Sequence, residues 1–235
     1  MTAAEIVEEL RPLGTPGYKA ILLNHGIKEP IFGVKIEEMK KIQKRVKMDY
    51  QLALDLYDTG IYDAMYLAGL IADDRKMTKS DLQSWLDKAN SPALCGFTVA
   101  WVAAESNHGR ELALEWIDSD REDIASAGWA TLSSLVSIKP DNELDLNELK
   151  GLLERVRNTI HQSPNCVRSN MNGFVIAVGS YVSPLTDFAS VIGQKIGKVS
   201  VDVGRTACKV AFAPEYIDKV RKRGTIGKKR KSAKC

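Results

Sequence analysis

The sequence predicts an all-α fold, built as an array of short helical pairs. Three observations carry that reading. Apolar residues recur at helical spacing: Ile36, Met39, Ile42 and Val46 form one stripe, and Ile61, Met65, Ala68 and Ile71 form another. The links between helices are only a few residues long, which makes successive helices antiparallel neighbours. Three Ser-Pro pairs, Ser91-Pro92, Ser163-Pro164 and Ser183-Pro184, each stand before an apolar-rich stretch. Serine is a good N-cap and proline fits the first helical turn. No single pair of such helices can bury its stripes alone, so the pairs must stack.

The elements follow in order. Residues 3–10 and 16–24 read as short helices, with Thr15 as N-cap and Pro16 in the first turn of the second. The loop KEPIFGVK leads into a helix carrying Lys40, Lys41, Lys44, Arg45 and Lys47 beside its apolar stripe. A short helix with Ala53, Leu56 and Tyr57 comes next, and Gly60 parts it from the helix holding Ile61 to Ile71. Thr78 and Asp81 have the spacing of a capping box, and so do Ser119 and Glu122. Further helices are expected over 92–106, 110–117, 120–137, 146–161, 164–181 and 184–195, with a last one from Pro214. Only KVSVDV, at 198–203, alternates like a strand, and it is too short to found a sheet.

A unit of about 35 to 45 residues falls in the range of HEAT and armadillo repeats. The expected architecture is therefore a HEAT-like or armadillo-like right-handed α-solenoid of stacked antiparallel pairs. One solenoid domain is expected over 1–223 and a basic tail over 224–235.

The chain has 235 residues, 44% hydrophobic and 27% charged, a balance suited to a water-exposed globular protein. No apolar run approaches the ~18 residues of a membrane span, and the amphipathic opening MTAAEIVEELRPL is unlike a signal peptide. A cytoplasmic protein without membrane contact is expected. Cys95, Cys166, Cys208 and Cys235 lie far apart, and no CxxC or HxxxH spacing occurs. Neither disulfides, a metal site nor any cofactor is expected.

The net charge of +3 conceals an asymmetry. Nine Lys and Arg, and no acid, lie from Lys219 onward, leaving 24 basic against 30 acidic residues elsewhere. The tail cations Lys228, Lys229, Arg230 and Lys231, with the cluster Lys35, Lys40, Lys41 and Lys44, point to a polyanionic partner. A solvated tail that aids solubility is the plain alternative.

No GxGxxG, Walker loop, GxSxG or HExxH is present. Trp101 and Glu105 lie four residues apart on one helix. They pair an aromatic wall with an acid, or else form ordinary core and solvated surface. Trp129, set among Ala127, Gly128 and Ala130, reads as core. In CVRSNMNGF, Arg168 and Asn172 share a helical face and Asn170 points elsewhere. Amides on an apolar helix must find hydrogen bonds, so they serve either as interior glue or as a polar surface for a ligand.

The runs PIFGVKIEEMKKIQKRV and LALDLYDTGIYDAMYLAGLIAD, with an acid at Asp63 near the start of the second helix, resemble the opening repeats of the DNA alkylation repair family. These are the HEAT-like-repeat DNA glycosylases and their relatives. The resemblance extends from Thr2 to Leu185, and IGKVSVDVGRTACKV with GKKRKSAKC is similar to the C-terminal signature of one branch. It implies a C-shaped clamp with a basic concave face around DNA. It also implies tryptophans that contact the lesion and an aspartate that stabilises the oxocarbenium-like sugar.

Here the sequence departs from the pattern. Where active members carry Trp-Trp-Asp-x-x-Asp, residues 93–98 read ALCGFT, which places Thr98 at the family's aspartate. The family's arginine of the next repeat falls near Ala127, and its Gly-Trp appears as Gly173-Phe174. A carboxylate in a low-dielectric site stabilises developing positive charge by several kcal/mol, and a threonine offers only a dipole. The expectation is a DNA-binding, repair-related monomer with weak or absent base excision and little base specificity. Trp101, Asn172 and Phe174 would line its pocket, and Arg168 would join the lysines on DNA. One alternative is a working hydrolase, a glycosylase for alkylated purines that uses Glu105. Another is a protein-binding scaffold.

Overall fold

The computed structural model describes residues 1–204, 206 and 208–234. Its regular elements are helices, and no strand occurs among the described residues. The helices are α1 (Ala3–Leu10), α2 (Pro16–Asn24), α3 (Ile36–Val46), α4 (Tyr50–Tyr57), α5 (Tyr62–Ile71), α6 (Lys79–Lys88) and α7 (Ala100–Glu105). There follow α8 (Gly109–Trp116), α9 (Glu122–Ile138), α10 (Leu146–Thr159), α11 (Asn165–Tyr181), α12 (Thr186–Ile196) and α13 (Ala213–Lys222). The chain forms two compact units. The first holds Met1–His108 with Val203, Gly204, Thr206 and Lys234, and the second holds Gly109–Asp202 and Cys208–Ala233.

In the first unit α4 packs on α5, and α5 also meets α1 and α3. Burial explains why α5 is central: every residue from Tyr62 to Ile71 is buried, Asp63 included. A helix apolar all round belongs inside, and the charge among those residues must be paired. Asp63 accepts the backbone N–H groups of Phe32 at 2.6 Å and Val34 at 2.7 Å, fixing the loop that enters α3. Between those two residues Gly33 has φ +83°, and a Cβ there would meet the Lys19 backbone nitrogen of α2 at 2.7 Å. One buried carboxylate thus sets the approach of α2 and the start of α3.

In the second unit α8 packs on α9, α9 on α11, α11 on α12 and α13, and α10 on α12. Helices two places apart pack together three times, α9 with α11, α10 with α12 and α11 with α13, the contact pattern of stacked pairs. Trp116, Trp129 and Phe174 fill this core.

Several local expectations change. The helix expected over 92–106 opens with a π-helical turn, Leu94–Val99, before α7. The wider turn accommodates Thr98 against α5, where a Cβ on Gly69 would lie 2.4 Å from Thr98 Cγ2. The Thr78–Asp81 capping box forms, whereas the Ser119–Glu122 box does not. Ser119 Oγ instead accepts from Arg121 N, and Glu122 accepts from Cys166 N on α11 at 2.7 Å. Of the three Ser-Pro serines only Ser91 accepts a first-turn N–H, that of Leu94. α11 starts without a side-chain cap, and Ser183-Pro184 lies in a 3-10 turn, Ser183–Leu185. The segment 198–203 forms no strand, because its backbone is drawn to α11: Arg168 donates to Ser200 O, and Asn165 exchanges two bonds with Asp202. Among the described residues no single helix is long and apolar enough to cross a membrane.

Candidate nucleic-acid interface

The basic face of α3 follows from its periodicity. Met39 and Ile42 are buried, which turns the intervening lysines toward solvent. Lys35 is exposed, 3.8 Å from Glu37, and Lys41 pairs with Glu38 at 2.7 Å. Arg45 reaches Glu9 at 2.5 Å. Lys40, half-buried, and Lys44, exposed, have no acidic partner among the described residues. They stand four residues apart, hence on one flank of the helix and about 6 Å apart along its axis. Two ammonium groups without an internal partner are available for phosphate.

The C-terminal cations behave differently. Lys229 inserts its ammonium at the end of α9, donating to Val136 O at 2.8 Å and pairing with Asp141 at 2.8 Å. Its side chain is 18% exposed. The Arg230 backbone N–H donates to Ser137 O at 2.8 Å. Lys234, in the first unit, repeats the device at the end of α5, donating to Ala72 O at 3.1 Å and pairing with Asp74 at 2.8 Å. Both partners of that pair are 12% exposed. A cation on the last carbonyls of a helix meets its negative end, so these lysines cap helices. Lys228, Arg230 and Lys231 have exposed side chains.

Burial pushes the Asp74 carboxyl up to about 6, against the pull of Lys234 and with a further push from Glu105. Only Oδ2 is paired; Oδ1 is buried without a hydrogen bond.

Thr98 is 0% exposed, and its Oγ1 is buried without a hydrogen bond. Trp101 is buried, edge-on to Tyr66 at 5.6 Å and tilted toward Phe97 at 5.7 Å. Glu105 is half-buried at the end of α7. Thr98 lies in the preceding π turn, so it does not share a regular α-helical register with Trp101 and Glu105. Phe174 is fully buried, 5.3 Å from the Trp129 ring, and the Arg155 guanidinium lies 5.7 Å from that ring's centre. Arg168 spends its guanidinium on Ser200 O and Ser163 O, both at 2.9 Å. Asn170 donates to Ser126, and Asn172 to Ala211 O at 2.9 Å. Both amides are thus hydrogen-bonded within the protein, as interior glue would be. Among the described residues no group of three His, Cys, Asp or Glu is placed to hold a metal ion.

Sequence reading missed the structural weight of Asp63 and Lys234. Asp63 was legible as an acid inside an apolar helix, the pattern of a satisfied buried charge. Lys234 carried no signal, since its partners are remote in sequence.

An all-helical chain of stacked pairs with an unpaired cationic flank defines a helical-repeat protein suited to a polyanion. Residues 6–187 match the profile of the DNA alkylation repair enzyme family, and the chain belongs to that family. It is 30% identical over 228 residues to the uncharacterized protein Lin0241 of Listeria innocua serovar 6a, covering 95% of this chain and 99% of that one. It is 31% identical over the same length and shares to Lmo0209 of Listeria monocytogenes serovar 1/2a. A solved structure matches with a TM-score of 0.93 and 38% identity over 100% of both chains. That structure is described as belonging to a new family of proteins related to the HEAT-like repeat DNA glycosylases with affinity for branched DNA structures.

Proposed function

We propose that this chain binds DNA through its phosphates, prefers branched over linear duplex, and excises alkylated bases weakly or not at all. The observation that carries the reading is the full-length likeness, at 38% identity, to a protein described as having affinity for branched DNA. The unpartnered Lys40 and Lys44 on α3 support it. The exposed side chains of Lys35, Lys41, Lys228 and Lys231 supply further phosphate contacts. Lys229 and Arg168, whose charged groups are spent on the protein's own carbonyls, take no part.

Weak excision follows from chemistry. The stretch 93–98 offers no carboxylate, and Thr98 is buried against α5. N-glycosidic cleavage builds positive charge on the sugar, and nothing in that stretch answers it. A cationic leaving base lowers the intrinsic barrier, so slow release is compatible with this account.

The test measures anisotropy of a labelled four-way junction and a linear duplex of equal length across a salt series, beside release of methylated purines. Tight junction binding with a steep salt slope and little release is expected. Efficient release that disappears in Glu105→Gln would instead make Glu105 the catalytic acid.

A further inference from the structure

Helix α2 is anomalous in an otherwise well-packed unit. None of its nine residues is buried, although Tyr18, Ala20, Ile21, Leu22 and Leu23 are apolar or aromatic. Ile21 is 52% exposed and Leu23 40% exposed. On a helix these two lie about 200° apart, so they form two apolar shoulders flanking the side that faces the protein. The ridge between them on the outside carries Gly17, Ala20 and Asn24, all exposed. The helix thus presents a smooth ridge with aliphatic flanks to solvent.

The position of α2 is nonetheless well determined. Its N-cap residue Thr15 donates its backbone N–H to Gly33 O at 3.1 Å, and its Lys19 backbone lies tight against Gly33. Asp63 pins that same loop from the core, and Lys35 at the head of α3 follows two residues later. The exposed apolar helix and the helix bearing the unpartnered Lys40 and Lys44 therefore hang on one rigid loop.

The charge around α2 selects the occupant. Of the cations along α2 and its ends, Arg11 is paired with Glu8 at 3.0 Å and Lys19 with Glu29 at 2.7 Å. Lys28 is exposed and has no acidic partner among the described residues. An apolar surface beside an unpartnered cation suits a ligand with charged edges and apolar faces. Base pairs at a DNA branch point are such a ligand, because their faces lose stacking partners there and phosphates converge around them. Linear duplex offers phosphates without open faces.

We propose that α2 is the branch-reading element: Ile21 and Leu23 pack on unstacked base faces at a junction, while Lys28, Lys40 and Lys44 hold the flanking phosphates. Aliphatic wedges at opened base steps are a recurring device of DNA-bending proteins. The proposal rests on the DNA-binding reading above and adds to it the source of branch preference.

The experiment compares wild type, Ile21→Ser/Leu23→Ser and Lys40→Ala/Lys44→Ala on a four-way junction carrying 2-aminopurine at the branch point, and on linear duplex. Both side chains of the first variant are exposed, so its thermal midpoint should match wild type. Junction affinity should fall about tenfold in Ile21→Ser/Leu23→Ser, with linear affinity unchanged, in keeping with two aliphatic side chains losing an apolar contact. The 2-aminopurine brightening that wild type produces should be lost. Lys40→Ala/Lys44→Ala should weaken both substrates and keep the brightening at saturation. Unchanged junction preference and brightening in the serine variant would overturn the inference and leave the DNA-binding reading standing. So would a wild-type dimer in light scattering that becomes a monomer in the serine variant, since α2 would then be an interface between copies. A wild type that binds neither substrate would instead remove the DNA-binding reading itself.

Discussion

Two segments of this chain look alike in sequence and differ in what their charge does. Helix α3 carries four cations in the six residues 40–45, and the last 17 residues of the chain carry nine. On α3 the apolar stripe points inward, which leaves Lys40 and Lys44 without a partner among the described residues. At the C-terminus Lys229 and Lys234 fold back onto the carbonyl ends of α9 and α5, each beside an aspartate. A count of cations therefore does not measure the charge left for a polyanion. That quantity depends on which helix ends and carboxylates lie within reach.

The largest effect is expected from unfixing α3. Asp63→Ala removes a buried carboxylate that satisfies two backbone N–H groups, leaving both unpaired. A loss of about 3 kcal/mol in unfolding free energy is expected, read by urea titration. A loss below about 1 kcal/mol would mean that the loop before α3 holds its place without that residue.

Next in size is the tail. Lys229→Met keeps the aliphatic stem but strips the ammonium from Val136 O and Asp141. A loss of about 2 kcal/mol is expected, with junction affinity unchanged. The reverse, stability kept and affinity lost, would return Lys229 to the DNA-contacting set.

The basic flank of α3 should show the mirror image. Lys40→Ala/Lys44→Ala should leave the unfolding free energy within about 0.5 kcal/mol of wild type, as surface changes usually do. Affinity for duplex at low salt should drop about tenfold.

A smaller, pH-dependent effect separates the second lysine clip. The Asp74 carboxyl titrates near 6 in the folded chain against 3.8 for the free group. With the folded value raised, its contribution to stability is fully present below about pH 4 and is lost as pH rises through about 6. Asp74→Asn abolishes that dependence. The stability of the variant relative to wild type should therefore climb by on the order of 2 kcal/mol between pH 4 and pH 7. A difference independent of pH would show that Asp74 titrates normally.

Much of the fold was legible because its signals are local. Helices α1 and α2 begin and end where periodicity, Thr15-Pro16 and the neighbouring breakers place them, and the Thr78–Asp81 box forms as its spacing dictates. What was not legible depends on partners distant in the chain. The π turn at Leu94–Val99 answers to Gly69 on another helix. Ser119 and Glu122 have capping-box spacing, yet Glu122 is drawn to Cys166, 44 residues away. Lys229 and Lys234 find acceptors 93 and 162 residues back, so no window of sequence distinguishes them from Lys228 and Lys231. The aromatic and amide candidates divide on the same ground. Trp101, Asn172 and Phe174 have the composition of a pocket, but Trp101 and Phe174 are buried among other rings and Asn172 donates to Ala211 O.

The most direct test of the central claim is the slope of junction affinity against salt for wild type, Lys40→Ala/Lys44→Ala and Lys229→Met. Each phosphate neutralised contributes about −0.9 to the slope of log affinity on log salt for duplex DNA. The slope should be flatter by about 1.8 for the α3 variant and unchanged for Lys229→Met. An unchanged slope in the α3 variant, with a flattened one in Lys229→Met, would contradict that claim and assign the DNA-binding charge to the tail.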